Sequence, residues 1–412
     1  MNLRERALRI GLGTVAAQFI SAASLILIPK FYTPSEFGLF ILILSTATFI
    51  QPFATLRIEI LSTVTRKHED SKILFWFVKR LSVAVSIIGF FLIFLFSIII
   101  ASKSIAQSAG FSLAVTSVVL IQSIAIILVQ ERLRTDHLKK VALSGVLQNG
   151  TTLISQLALS GTKFGGLSLI LGYMFGRIVS IFKLRTVPHQ DKKSKYSFHF
   201  IKYYNLPVLL QPIKKVFPTA IFDAITIALP ILFVARIYGT ESAGIIGLLQ
   251  SIALVPVTLV SSMIIATLYS QSTIVQELGF TKMYMKYRDE LGRQISKIIL
   301  SFFIISLIFG GIVLPKILDD KWAIDFRLLL LISATYSLQM ITYPTIGILS
   351  IIEKFNVPRN FASLKCGLAT LLCILFIFNK VQWVEFALIF YSIQLLINTG
   401  FVIFVRIKSK SF

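Results

Sequence analysis

Acidic side chains are scarce in this chain, 18 in 412 residues, and so are histidine, with four, and cysteine, with two. The histidines His68, His137, His189 and His199 are scattered between apolar segments. No HExxH, GxSxG, Walker or DxD pattern occurs, so spacing assembles no nucleophile, base or metal set. The reading is a protein that is not an enzyme and takes no cofactor or metal. Cys366 and Cys373 lie seven apart in an apolar run, on one helix face, and read as core residues without redox chemistry. Charge of either sign is sparse as well. It makes up 14% of the residues, against roughly 25% in soluble domains, and this excludes a water-soluble globular fold.

What is abundant is apolar. Hydrophobic residues are 56% of the chain and the mean hydropathy is +0.83 over its whole length. A helix needs about 20 apolar residues to cross the hydrocarbon core. Twelve such segments can be read: 8–30, 38–63, 81–101, 109–131, 141–160, 165–183, 213–237, 243–271, 295–315, 325–350, 360–379 and 382–405. None shows the two-residue alternation of a membrane strand, and open sheet edges would be unpaired in lipid. The first segment, behind Met1-Asn2-Leu3-Arg4-Glu5-Arg6, is too long for a signal peptide and reads as an uncleaved span.

The net charge of +23 would suggest nucleic acid on a soluble chain, but here its distribution points to membrane topology. Loops on the side of the N-terminus hold 29 Lys and Arg, the last of them counted at Lys354, Arg359 and Lys365 and at the C-terminus. Loops on the other side hold 8. Such a bias puts both termini in the cytoplasm and implies an even number of spans. The longest polar stretch, Lys183 to about Gln211, divides them six and six. Domain expectations are therefore a six-helix lobe over 1–184, a cytoplasmic linker over 185–212, and a second six-helix lobe over 213–412. The mixed-charge loop 273–294 reads as a short surface helix.

The halves repeat. Lys30-Phe31-Tyr32-Thr33-Pro34-Ser35-Glu36-Phe37-Gly38 aligns with Arg236-Ile237-Tyr238-Gly239-Thr240-Glu241-Ser242-Ala243-Gly244 at a constant offset of 206. The basic residue, the tyrosine and the final glycine coincide, at the same outer hairpin of each half. Both halves start inside, so the repeats are parallel, an organisation common in transporters with a central cavity between the halves. The offset sets Lys214 and Lys215 against Leu8 and Arg9, at the cytoplasmic edge of a span. They are either edge charges or substrate contacts at the cavity mouth.

Few charges remain inside spans, where an unpaired one is costly. Arg57 and Glu59 lie late in span two. On one continuous helix their side chains would point about 200° apart and would not pair. Arg57 is then either a cavity residue or a snorkelling charge with a partner on another helix. Arg177, in Gly172-Tyr173-Met174-Phe175-Gly176-Arg177, is close enough to the edge to snorkel, and the GxxxG spacing marks close helix packing. Asp223 is the one acid deep in span seven, either a structural acid or a carrier of a proton or cation. Gln18 and Gln211 are further polar candidates.

The hairpin Tyr32-Thr33-Pro34-Ser35-Glu36-Phe37-Gly38, then Leu56-Arg57-Ile58-Glu59, then Leu206-Pro207, the second hairpin ending at Gly244, and Pro256 in span eight together resemble the polysaccharide-transport flippases. These O-antigen and capsule repeat-unit translocases belong to the multidrug/oligosaccharidyl-lipid/polysaccharide exporter superfamily. The resemblance implies two lobes that open alternately to either face of a bacterial plasma membrane. It implies an undecaprenyl-diphosphate-linked oligosaccharide as cargo, membrane lipids and assembly proteins such as a polymerase as partners, and no nucleic acid. It implies Arg57 as a diphosphate contact, Arg177 by analogy, and Lys214 and Lys215 at the mouth, with Asp223 and Glu59 left as ion-coupling candidates. An ion-coupled small-molecule exporter of the same superfamily, which would favour an acidic cavity, and a repeat-unit polymerase, which would need a large outer loop, are the alternatives.

Overall fold

The computed structural model describes residues 3–64, 68–99, 104–135, 137–162, 164–185, 213–270, 324–351, 354–378 and 381–408, with isolated positions between 297 and 322. The described residues form helices and no strand. In chain order these are α1 (Leu3–Phe31), α2 (Pro34–Thr55), α3 (Ile58–Val64), α4 (His68–Ile99), α5 (Ile105–Arg134), α6 (Leu138–Ala158), α7 (Gly166–Arg185), α8 (Ile213–Ile237), α9 (Thr240–Ser270), α10 (Phe326–Ile351), α11 (Asn356–Phe378) and α12 (Trp383–Lys408). Eight helices among the described residues are long and apolar enough to cross a membrane. The chain is thus an all-α, multi-pass membrane protein. The linker 186–212, the loop 273–294 and most of the segment 295–315 lie outside the described residues.

Lipid contact explains the exposed faces. On α4 the exposed side chains Ile87, Ile88, Phe91, Leu92, Leu95, Phe96 and Ile99 recur at helical spacing. Only hydrocarbon makes such a stripe favourable. Inward faces pack tightly: Gly172 and Gly176 of α7 lie against Gln156 and Thr152 of α6, the close approach that GxxxG spacing permits. Cys366 and Cys373 are buried as free thiols.

Two of the helix starts have a clear local cause. α2 opens on a capping box, in which the Thr33 backbone N–H donates to Glu36 Oε2 at 2.8 Å and the Glu36 N–H returns to Thr33 Oγ1. Asp325 caps α10, accepting from the Arg327 backbone N–H at 2.8 Å and from its guanidinium at 2.7 Å. Replacing a cap of this type costs about 1 kcal/mol. Asp325→Ala is therefore expected to lower the unfolding temperature in detergent modestly, by the loss of one cap.

The repeated hairpins have matching contacts. The Tyr32 hydroxyl donates to the Gln156 carbonyl and the Tyr238 hydroxyl to the Val381 carbonyl, both at 2.7 Å. Each tyrosine ties its hairpin to a segment late in its own half. Between the halves, α2 and α9 cross where Gly38 faces Gly244. A Cβ on Gly244 would stand 2.9 Å from the Gly38 nitrogen. Beside this crossing the Ser35 and Thr240 hydroxyls are 2.9 Å apart, and the Trp322 indole N–H donates to the Pro29 carbonyl. The two halves are therefore closed against each other at the hairpin end.

Span two is not one helix. α2 stops at Thr55, and Leu56 and Arg57 both adopt left-handed backbone angles, φ 48° and 58°, before α3 resumes. Pro52 sits inside the last turn of α2, and its carbonyl accepts the Leu56 N–H. Non-glycine residues in this region carry about 1 kcal/mol or more of strain each, so the surroundings must hold them there. Ser82 of α4 donates to the Ala54 carbonyl, Arg134 of α5 donates to the Ser62 carbonyl at 3.0 Å, and Ser71 donates to that same carbonyl. A small apolar cluster of Ile58, Leu74, Phe75, Val78 and Ile127 packs beneath.

Candidate functional cavity

The break at Leu56-Arg57 corrects the expectation that Arg57 and Glu59 point apart. With the helix interrupted between them, Arg57 Nη1 lies 3.8 Å from Glu59 Oε1. The pair is asymmetric: the Arg57 side chain is 40% exposed and that of Glu59 is 2% exposed. The carboxylate is thus sunk into the protein and the guanidinium is presented outward. Thr55 also reaches Glu59 through its side chain.

Arg57 faces a cavity of about 400 Å³ between the first and second halves of the chain. Its walls come from the α2–α3 break (Arg57, Ile60), from α5 (Gln130), from α8 (Thr219, Asp223), and from Tyr343 of α10. A volume of this size suits a small ligand or a headgroup. Phe53 of α2 and Phe217 of α8 meet edge to face at 5.6 Å, joining the halves beside it. The cavity lies towards the end of α2 that is remote from the Gly38–Gly244 crossing.

Asp223 of α8 lines the same cavity as Arg57, and the charges of Lys365 and Arg57 act on it. Lys365, which the charge distribution assigns to a cytoplasmic loop, lies inside the apolar segment 360–379 and is 6% exposed on α11. Its position within that segment was the available signal. It lines a second, smaller polar pocket together with Asp223, Tyr343 and Tyr391.

The remaining sequence candidates are spread out. Lys214 and Lys215 are exposed at the start of α8, directly before Val216, which lines the cavity. Arg177 is on α7, where its Nε donates to the Tyr173 hydroxyl at 3.2 Å and its guanidinium lies 5.3 Å from that ring's centroid. It is not among the residues lining the described cavities. Gln18 is half-buried on α1. Gln211 lies outside the described residues. Among the described residues no group of three or more His, Cys, Asp or Glu is placed to hold a metal ion.

Comparison with known proteins fits this architecture. The chain is similar over 97% of its length, and 88% of the other's, to the lipid II flippase MurJ in an inward closed conformation, at a TM-score of 0.65 and 16% identity. It is similar to a multidrug resistance MATE family transporter of the MOP superfamily in an inward-facing conformation, at a TM-score of 0.63 and 11% identity, covering 99% of this chain and 94% of that one. A MOP superfamily transporter from Pyrococcus furiosus, whose binding pocket is described as having reverse polarity that suggests a different function, matches at a TM-score of 0.62 and 11% identity, covering 100% of this chain and 97% of that one. At such identities the likeness concerns the fold. No curated protein matches by sequence. The model of the family described as polysaccharide biosynthesis protein matches residues 27–324, and the chain belongs to that family.

Proposed function

We propose that this protein is a flippase that carries a polyprenyl-diphosphate-linked oligosaccharide, of the undecaprenyl O-antigen or capsule type, from the inner to the outer leaflet of a bacterial plasma membrane. In this reading the segments 1–184 and 213–412 are six-helix lobes that rock about the cavity, 185–212 joins them, and both termini are cytoplasmic. The protein acts by transport and not by catalysis. Membrane lipids and the proteins that make and polymerise the repeat unit are its partners.

The observation that carries the reading is the exposed Arg57 guanidinium at the mouth of an interhelical cavity that has a single acid opposite. A diphosphate cannot enter hydrocarbon bare, and a planar guanidinium offers it paired hydrogen bonds. Lys214 and Lys215 are suited to draw the anion to the rim and Arg177 to a later contact, while Asp223 and Glu59 are the ion-coupling candidates. Family membership supports polysaccharide assembly, and MurJ, described as a lipid II flippase, supports a lipid-linked cargo on this fold. A cation exporter is favoured only by Asp223, which has two basic residues in its field.

The test is reconstitution. Purified protein in liposomes that contain a short polyprenyl-diphosphate oligosaccharide is expected to move it between leaflets. Exposure of the sugar to an added glycosidase measures the movement. Failure to move this lipid, with efflux of a lipophilic cation instead, would favour the exporter.

A further inference from the structure

The second half of the chain buries more polar side chain than a diphosphate site requires. Behind Asp223, Ile227 and Tyr343, which line both spaces, a pocket of about 30 Å³ lies among α8 to α12. That is room for about one water or one small ion. Lys365 of α11 contributes to its wall, and the Lys365 Nζ lies 5.1 Å from the centroid of the Phe361 ring, a face that attracts cations.

The groups that face Lys365 can be named element by element. They are Asp223 from α8, Tyr336 and Tyr343 from α10, and Tyr391 from α12, whose hydroxyl accepts from the Gln250 amide of α9. Arg57 acts on Asp223 from the cavity side. Two buried amide atoms at the pocket, Gln339 Oε1 and Gln394 Nε2, have no hydrogen-bond partner among the described residues. A carboxylate, the unpartnered Gln339 amide oxygen and tyrosine and threonine hydroxyls around one ion-sized space make an oxygen-rich site of the kind that hard cations take, while Gln394 Nε2, a donor, is no cation ligand.

We infer that the Lys365 ammonium is the resident cation of this pocket and fills the place that Na⁺ would otherwise take beside Asp223. A carboxylate held within a membrane span needs a positive partner. Here the chain itself supplies a positive group, Lys365, in the wall of the same pocket. Arg57 already has Glu59 at 3.8 Å, so a free metal cation entering the pocket would have to share Asp223 with the Lys365 ammonium, and like-charge repulsion in a poorly screened interior opposes it. Removing the Lys365 side chain deletes the repulsion and enlarges the pocket, while Asp223 and the oxygen donors stay. The inference goes beyond the transport reading, and its test needs no cargo, so the two can fail separately.

The experiment is thermal unfolding of the full chain in detergent, in NaCl and in choline chloride at equal ionic strength. Binding to the folded state alone raises the unfolding temperature with ligand concentration. The wild type is expected to unfold at the same temperature in both salts. Lys365→Ala is expected to be stabilised by Na⁺ in a concentration-dependent manner, and Lys365→Ala with Asp223→Asn is expected to lose that effect. Lys365→Gln, which keeps most of the volume without the charge, serves if the alanine variant does not fold. Na⁺-specific stabilisation of the wild type would overturn the inference on its own. So would folded Lys365 variants that remain indifferent to Na⁺, or a double variant that keeps the response.

Discussion

Arg57→Ala is expected to abolish export of surface polysaccharide while the protein still inserts in the membrane at normal abundance. The guanidinium is 40% exposed towards the cavity, and the proposed load is a dianion brought out of water. Truncating one member of a buried, hydrogen-bonded charge pair costs about 2–5 kcal/mol, which corresponds to a loss of about thirtyfold to a few thousandfold in binding. Backbone and side chain can be separated. Position 57 holds φ 58°, where glycine is at ease and alanine is not. Arg57→Gly therefore keeps the break between α2 and α3 and removes only the guanidinium, and it should be as inactive as Arg57→Ala. Arg57→Lys retains charge without the planar fork and should recover part of the activity. Normal polysaccharide in Arg57→Gly, measured beside immunoblots for abundance, would remove the guanidinium from the mechanism. Full activity of Arg57→Lys would argue against bidentate contact.

The same residue shows where the sequence was legible and where it was not. Hydropathy located the eight described helices that are long and apolar enough to span, because hydrocarbon imposes one condition along about 20 consecutive residues, and that condition is visible in any window. The break inside span two had no such signature. Leu56 and Arg57 are poor formers of left-handed backbone, and nothing local asks for it except Pro52 one turn earlier. What holds the break is remote: Ser82 on the Ala54 carbonyl and Arg134 on the Ser62 carbonyl. Contacts 28 and 72 residues apart cannot be read from spacing. The angle of 200° between Arg57 and Glu59 was correct for a helix that does not exist there.

Lys365 failed for a different reason. Its place within an apolar segment was visible, but the charge count treated every basic residue near a span end as a loop residue. Burial decides the matter, because α11 begins at Asn356 and Lys365 lies more than two turns inside. The cluster of tyrosine and glutamine around it comes from α9, α10 and α12, with the bonded pair Gln250 and Tyr391 separated by 141 residues, and only packing assembles it. The repeat, by contrast, was legible as a pattern. Its physical content needed coordinates: Tyr32 and Tyr238 donate to backbone carbonyls far along the chain, and the paired glycines touch.

That contact makes the second large prediction. Gly244→Leu is expected to prevent closure of the hairpin end and to abolish transport. At the crossing of α2 and α9 a Cβ on Gly244 would stand 3.0 Å from the Pro34 carbonyl carbon and 2.9 Å from the Gly38 nitrogen. These are backbone atoms of a helix, so no rotamer change relieves the clash and the helices must separate. Overpacking of this kind costs about 1–3 kcal/mol. That is a factor of about 5 to 150 in the balance between closed and open hairpin ends. Closure can be read directly. The Ser35 and Thr240 hydroxyls are 2.9 Å apart, so cysteines at these two positions should form a disulfide under mild oxidation. The native thiols Cys366 and Cys373 are buried and do not compete. Gly244→Leu in that background should slow the cross-link by the same factor, and Gly38→Leu should do likewise from the opposite helix. Gly110→Leu, where a Cβ meets nothing within 4 Å, should leave both the cross-link and export unchanged. A cross-link that forms in Gly244→Leu as fast as in Gly110→Leu would mean that the glycine pair does not gate the hairpin end. Loss of export in both variants would trace the defect to insertion and not to closure.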